Sequence, residues 1–326
     1  MERCGVDVMP WPLSILPGLP AEFTRLLEKD PGGPKDAVLQ FTDPAGFKSM
    51  PEWAHAAPRS FGYTMWERTP LTRQDLPWGR MSRRFSNHLT GLAVTCPMNV
   101  AAFKALDPAL EPYVVPCGIE GDDWPIAERV VKDRPMRFLM IGVLSGRKDP
   151  FCVLDAWRWL KANYPSFDAE LVVHTFAPGL HPGVAEAYGP GITFSSRPLS
   201  RPELIELYHS CDVLVSASRG EGNNKPAMEF LATGGMVIAS DWAGHQNWLH
   251  RDSTIALPGQ LTDVTGRPGV QEFVVDPYDV SQALLTAWAD PRLVRTKGHN
   301  AAGWIRASCG WDVVTPRLVR WMEKAG

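Results

Sequence analysis

Two carboxylates in the stretch SRGEGNNKPAMEFLATGG, Ser218 to Gly235, are spaced so that both could border one ligand. Glu221 stands in a Gly/Asn-rich loop ahead of Pro226, and Glu229 lies about one turn into the helix that the proline opens. Proline is pre-set for a first helical turn, and Asn224 suits the cap before it. The loop Gly222, Asn223, Asn224 and Lys225 would then offer free backbone N–H groups and the positive end of a helix dipole to an anion or a sugar. Read without that context, the same glutamates are a solvated loop charge and a helix-start charge.

Two more charge groups invite chemistry. In SGRKDP (145–150), Arg147 offers a forked contact and Lys148 a point charge, a pairing suited to a diphosphate; a solvated loop pair is the other reading. In YTMWERTPLTRQDLPWGRMSRRF (63–85), Arg68, Arg73, Arg80, Arg83 and Arg84 form the densest basic run of the chain, interleaved with Trp66, Trp78 and Phe85. Arginine among aromatics suits phosphate backbones and unstacked bases, and an enzyme that modifies a base must first take it out of the stack. A solvated helix face over core tryptophans fits the same pattern. No D-x-D triplet is present, GDDWP at 121–125 being the nearest run, so carboxylates for a metal–diphosphate complex are not evident and no metal is expected.

The elements that must position these residues are clearest in the second half. MRFLMIGVL (136–144), AELVVHTF, GITFSS, DVLVSAS and MVIAS read as strands. PFCVLDAWRWLKANYP, SRPELIELYHSC and PAMEFLATGG read as helices, the second opened by the capping signal Ser200…Glu203. Continuous apolar strands alternating with helices predict a parallel sheet covered on both faces, with ligands at the carboxyl ends of the strands. The first part is less regular: AVLQFTD, SFGYTMWE, LAVTCP and PYVVPCGI read as short strands, and EGDDWPIAERVVKDRP (120–135) as a linker. Near the end, VVTPRLVRWMEKAG carries Val314, Leu318 and Trp321/Met322 at helical spacing and should pack on something.

Composition narrows the class. The 326 residues are enough for two domains, and 44% hydrophobic with 21% charged residues is a soluble globular balance. A net charge of −3 argues against coating nucleic acid by global charge, but leaves room for a local basic groove. The apolar runs are strand-length, and the amino terminus lacks a secretory h-region. Cysteines at 4, 96, 117, 152, 211 and 309 show no metal or CxxC spacing, so reduced thiols in a cytoplasmic protein are expected. The 30 prolines, with 13 tryptophans, suggest a loop-rich first half.

In order along the chain, IGVLSGRKDP, ELYHSCDVLVSASRGEG, NKPAMEFLATGGMVIASD and CGWDVVTPRLVRWMEKAG resemble the landmarks of retaining GT-B glycosyltransferases of the family 4 type. FGYTMWERTPLTRQDLP, LAVTCPMNVAAF and VVPCGIEGDDWP match more weakly. The resemblance implies an α/β GT-B fold, two Rossmann-like domains facing a cleft, with a reduced N-terminal domain. It divides the chain into an acceptor-side domain (1–134), a nucleotide-sugar donor domain (135–300) and a C-terminal helix crossing back (301–326). It implies that Glu221 contacts the donor sugar, that Glu229 accepts from the ribose hydroxyls, and that Lys148 and Arg147 neutralise the diphosphate without metal or cofactor. Relatives carry an arginine where this chain has Val143, which makes Arg147 a displaced candidate. Asn223, Asn224 and Lys225 also depart from the family pattern, which points to them for donor choice. His174 stands where relatives more often have glycine near the donor, with a core or loop histidine as the other reading; Ser196 opens the segment that holds the base.

On the acceptor side, Glu67 matches a glutamate that often lines the cleft, with Trp66, Arg68, Arg83 and Arg84 beside it. Relatives begin with a strand and a glycine-rich loop, whereas this chain begins at RCGVDVMPWP, which resembles the second strand. The expected reaction is transfer of a hexose with retention, UDP-glucose being the model donor, to a hydroxyl. That hydroxyl belongs to a hydroxymethylated base in DNA, as in phage enzymes of this fold, or to a saccharide, lipid-linked sugar or protein. A sugar-nucleotide epimerase, a phosphorylase or a non-catalytic nucleotide-sugar-binding module are the alternatives.

Overall fold

The computed structural model describes residues 37–41, 58–69, 89–129, 134–175, 182–183 and 187–325. RCGVDVMPWP, Arg73, Trp78, Arg80, Arg83, Arg84 and Phe85 lie outside them. Two parallel sheets form the frame. The first holds β1 (Val38–Phe41), β2 (Ser60–Thr64), β3 (Gly91–Val94) and β4 (Tyr113–Val114), side by side in chain order.

The second sheet has six strands: β5 (Arg137–Gly142), β6 (Glu170–Thr175), β7 (Ile192–Ser195), β8 (Val213–Ser216), β9 (Met236–Ser240) and β10 (Thr254–Leu257). Their order is β10-β9-β8-β5-β6-β7, all parallel, as the alternation of apolar runs and helices requires. A two-stranded antiparallel hairpin, β11 (Gln260–Asp263) with β12 (Gln271–Val274), follows β10 and is not part of that sheet.

Side chains of β5 divide between the two faces with the two-residue period of a strand. Phe138 and Met140 join Trp157 and Leu160 of helix α2 (Pro150–Asn163) in one core cluster. Leu139 joins Leu214, Phe230 and Ile305 on the other side. That second face is covered by α3 (Arg201–Ser210), α4 (Lys225–Ala232) and α6 (Pro291–Cys309), while α5 (Pro277–Ala289) packs with α2. Full burial of each large core side chain contributes roughly 1.5–3 kcal/mol. The capping signal at Ser200 operates as expected, with the Glu203 carboxylate accepting from the Ser200 N–H at 2.8 Å.

The first sheet is closed by two helices. Phe103 of α1 (Pro97–Leu106) packs with Leu92 and Val94 on one face. On the other, Val314 and Leu318 of α7 (Trp311–Lys324) pack with Tyr63, Ala93 and Val115. Trp321 stacks on Tyr113 at 5.7 Å and meets Phe61 edge-on, over the bare Cα of Gly91. The last helix thus lies against the first sheet, and it follows Pro291–Cys309, one unbroken helix on the second half, after Gly310.

The segment expected to be a linker is docked over its described part. Trp124 is buried in the core around Leu139 and Tyr208, and the Arg129 guanidinium donates to the backbone carbonyls of Tyr208, Cys211 and Thr233. All five cysteines among the described residues are unpaired. Among those residues no helix is long and apolar enough to cross a membrane.

Candidate active site

The carboxyl ends of both sheets turn toward each other, so the loops after β2 and β3 meet the loops after β5, β8 and β9. Contact between them is close. A Cβ on Gly220 would lie 1.8 Å from the Glu67 carbonyl oxygen, so no other residue fits there without parting the two halves. Thr95 Oγ1 donates to the Gly222 carbonyl at 2.8 Å, and Asn247 donates to the Thr95 carbonyl at 2.7 Å. Thr69 and Gln271 form an antiparallel bridge that ties the loop after β2 to the hairpin.

Four charged side chains converge on this contact. Glu221, 3% exposed, pairs with Lys148 through Oε1, and its Oε2 lies 3.4 Å from Arg147 Nη1. Arg147 Nε is 2.9 Å from Glu67 Oε2, and its Nη1 also donates to the Gly220 carbonyl. The chain Lys148–Glu221–Arg147–Glu67 therefore runs from the loop after β5, through that after β8, into the first half. Burial pushes the Glu221 carboxyl up, but the Lys148 and Arg147 cations outweigh it and hold the group below its ordinary range. Partial burial raises the Glu67 carboxyl against the pull of Arg147, and Glu221 adds to the rise.

Glu229 is on α4, one turn further in and 7% exposed. Tyr208 donates to its Oε2 at 2.9 Å, while Oε1 has Lys225 Nζ at 3.9 Å. Burial raises its carboxyl, with the Tyr208 hydrogen bond opposing. One carboxylate oxygen is thus fixed by a hydrogen bond, while the other faces the Lys225 ammonium. The Lys225 side chain is 70% exposed at the helix start.

Asn223 and Asn224 differ from the expectation. Asn224 occupies the cap position, but at φ 65° its side chain does not cap the helix. It turns inward and donates to Ser216 Oγ at 3.1 Å and to His245 Nε2 at 2.9 Å. Asn223 Nδ2 sits 2.9 Å from Met228 Sδ, and the Asn223 carbonyl accepts from Trp248. Both side chains hold the loop from within, so apart from the Lys225 ammonium what this loop can present to a ligand is backbone. The N–H groups of Gly222, Asn223, Asn224 and Lys225 have no acceptor among the described residues, the arrangement that suits an anion at a helix start.

His245, fully buried, was not singled out by the sequence reading. Because Asn224 donates to Nε2, Nδ1 carries the proton and donates to the Ser240 carbonyl at 2.8 Å. Burial drives its pKa down to about 4, so the ring is neutral. The only signal was a histidine in the turn after β9. Thr95 and Asn99 were likewise missed: Asn99, fully buried, donates to the Trp66 carbonyl at 2.7 Å and accepts from the Trp66 N–H at 3.1 Å.

His174 is buried at the end of β6, its pKa lowered by burial and by Arg197. Ser196 is exposed just after β7. Trp66 and Arg68 flank Glu67 in the loop after β2, half-buried, whereas Arg83 and Arg84 fall outside the described residues.

Comparison with known proteins bears on the fold and the second half of the chain. Residues 135–289 match the family model described as glycosyl transferases group 1. The chain is 28% identical over 270 residues to the MMP α-(1→4)-mannosyltransferase of Mycolicibacterium hassiacum, covering 80% of this chain and 60% of that protein. It therefore spans about three-fifths of the length of the curated relative it matches. Among solved structures it is similar to sucrose-phosphate synthase from Thermosynechococcus elongatus, with a TM-score of 0.63 at 18% identity over 88% of this chain and 74% of the other. It is also similar to Anabaena HepE in complex with UDP and glucose, with a TM-score of 0.60 at 11% identity over 81% and 71% of the two chains. The fold is GT-B, two parallel α/β units facing each other. Within that fold the segment 135–289 matches the group 1 glycosyl transferase family model.

Proposed function

We propose that the protein transfers a hexose from a nucleotide-diphosphate sugar to an acceptor hydroxyl, with retention of configuration and with no metal. The observation that carries this is the Lys148–Glu221 pair standing beside the unsatisfied amides of 222–225 at the carboxyl edge of a parallel sheet. Donor binding exchanges partners. The diphosphate takes Lys148, the helix start and Arg147, and Glu221, released from Lys148, accepts from the sugar hydroxyls. Glu229 Oε1 accepts from the ribose. The base then lies toward His174 and Ser196.

In the transfer step the bond from the sugar C1 to the phosphate oxygen breaks as C1 bonds to the acceptor oxygen. The departing phosphate oxygen takes the acceptor proton, so no separate base is required. Protein cations and the helix dipole stabilise the charge that develops on the diphosphate.

HepE in its complexes with UDP, glucose and UDP-glucose supports UDP-glucose as donor, while the mannosyltransferase relative supports a mannosyl donor. Mass spectrometry of products from a panel of nucleotide sugars against simple saccharides and hydroxymethylated DNA decides between them. Turnover that Glu221→Ala abolishes, in a variant that still melts cooperatively, is the expected result. Tight binding of nucleotide sugar with no turnover would leave a binding module instead, and exchange without an acceptor an epimerase or phosphorylase.

A hydroxymethylated base in DNA is a second acceptor reading, favoured by the arginine-rich run 63–85. It predicts salt-sensitive DNA binding that weakens when Arg83 and Arg84 become alanine. Binding indifferent to both salt and those substitutions removes it.

A further inference from the structure

The turn after β9 (Ala243–Asn247), with Trp248 behind it, lies hard against the loop 221–224. A Cβ on Gly244 would come within 2.4 Å of the Gly222 carbonyl carbon and oxygen, so backbone meets backbone there. Three successive loop carbonyls are each taken by a donor of the protein. The Glu221 carbonyl accepts from the Gly244 N–H at 2.9 Å, the Gly222 carbonyl from Thr95 Oγ1 at 2.8 Å, and the Asn223 carbonyl from Trp248 Nε1 at 2.7 Å. Asn224, next in line, is held through its side chain, by His245 Nε2 at 2.9 Å. Thr95 leans on the same turn, because Asn247 Nδ2 donates to the Thr95 carbonyl at 2.7 Å. Thr95 and Trp248 are both fully buried, so solvent does not replace either donor.

A planar trans peptide points its N–H opposite to its C=O. Fixing the carbonyls of 221, 222 and 223 therefore fixes the direction of the N–H groups of Gly222, Asn223 and Asn224. Those of Gly222 and Asn224 aim away from the turn, and that of Asn223 aims away from Thr95. Successive backbone N–H groups leading into a left-handed residue, here Asn224 at φ 65°, are the arrangement of an anion-binding concavity. Of the three pins, the Gly244 N–H is backbone, which any residue but proline supplies. Trp248 and Thr95 are the two that depend on side-chain chemistry, and one comes from each half of the chain.

We propose that Trp248 and Thr95 are positioning residues: by holding the carbonyls of Asn223 and Gly222 they aim the loop amides that receive the donor diphosphate. That the ligand is a diphosphate rests on the transferase reading; the pinning of the loop does not. Since Thr95 reaches Gly222 from the first half, the loop keeps all three pins only while the two halves are in contact.

The test is isothermal titration of the full chain with inorganic pyrophosphate, with UDP and with GDP, beside a thermal melt of each variant. Trp248→Phe deletes the indole N–H and keeps an aromatic ring, and Thr95→Val deletes the hydroxyl at nearly constant volume. Each should weaken every ligand that the wild type binds by about fivefold or more. Thr95→Ser keeps the hydroxyl and should restore the affinity. Trp157→Phe is the matched control, because its Nε1 also donates to a backbone carbonyl, that of Pro190 at 3.1 Å, within a different core cluster. It should lower the melting temperature by a similar amount and leave the affinities as they were. If Trp248→Phe and Thr95→Val melt lower but bind as the wild type does, the two residues serve stability alone and the proposal falls. Pyrophosphate binding that depends on Trp248, where neither nucleotide binds, would remove the donor reading and leave the positioning standing. A wild-type chain that binds none of the three overturns both.

Discussion

Lys148 and Glu221 neutralise each other across the gap between the loops after β5 and β8, with Glu221 almost wholly buried. Removing one partner strands the other in a poorly solvated place. Lys148→Met should therefore lower stability by about 1–3 kcal/mol, softened because Arg147 remains near Glu221, and reduce turnover of the donor by two orders of magnitude or more. Thermal melts and kcat/KM on the active donor check both. A variant that loses stability but keeps full turnover would separate the pair from the chemistry.

Glu229 gives the opposite sign. Its carboxyl is raised in the folded state, so folding binds a proton more readily than the unfolded chain does. Stability then falls as pH rises from the ordinary carboxylate value through the folded one, and the cost persists at pH 7. Glu229→Gln removes that cost and keeps an oxygen for Tyr208, so it should melt no lower than wild type at pH 7. Its donor KM should rise about tenfold as the ribose acceptor weakens. Melts at pH 4 and pH 7 with steady-state kinetics test this.

His245 makes the loop acid-sensitive. Its pKa of about 4, against an ordinary 6.5, means the unfolded chain takes up a proton first as pH falls. Stability is lost between about pH 6.5 and pH 4, on the order of 3 kcal/mol at most. His245→Asn, which removes the titrating ring, should flatten the pH dependence of the melting temperature in that window. An unchanged slope would assign the acid response to other groups.

Gly220→Ala tests the contact between the halves. The added methyl meets the Glu67 carbonyl, and relief requires the halves to move apart. The expected outcome is a destabilisation of about 1–3 kcal/mol, a larger radius of gyration by X-ray scattering and a fall in turnover. Gly146→Ala, where the added carbon meets nothing, is the control.

Strand runs such as FLMIG and VLVS were legible because each is continuous, apolar and bounded by turn residues, and the order of elements around them is close to determined by that pattern. Glu221, Glu229 and Lys148 could be read because each sits at a strand-to-helix junction. What escaped the sequence was whatever depends on two distant loops meeting. The turn of Asn224 toward His245, the hold of Thr95 on Gly222 and the Arg147–Glu67 bridge span 21, 127 and 80 positions, and no local pattern encodes them. The docking of Arg129 on α4 was hidden for the same reason, behind a polar, proline-bounded stretch that reads as a tether.

The helix Trp311–Lys324 supplies Val314, Leu318 and Trp321 to the core of the first sheet, whose strands β2 and β3 are made more than two hundred residues earlier. During synthesis β2 and β3 therefore emerge long before the helix that, among the described residues, covers this face. The six-stranded half, by contrast, draws its core clusters almost wholly from residues after 135, so the two units differ in how far along the chain their packing partners lie.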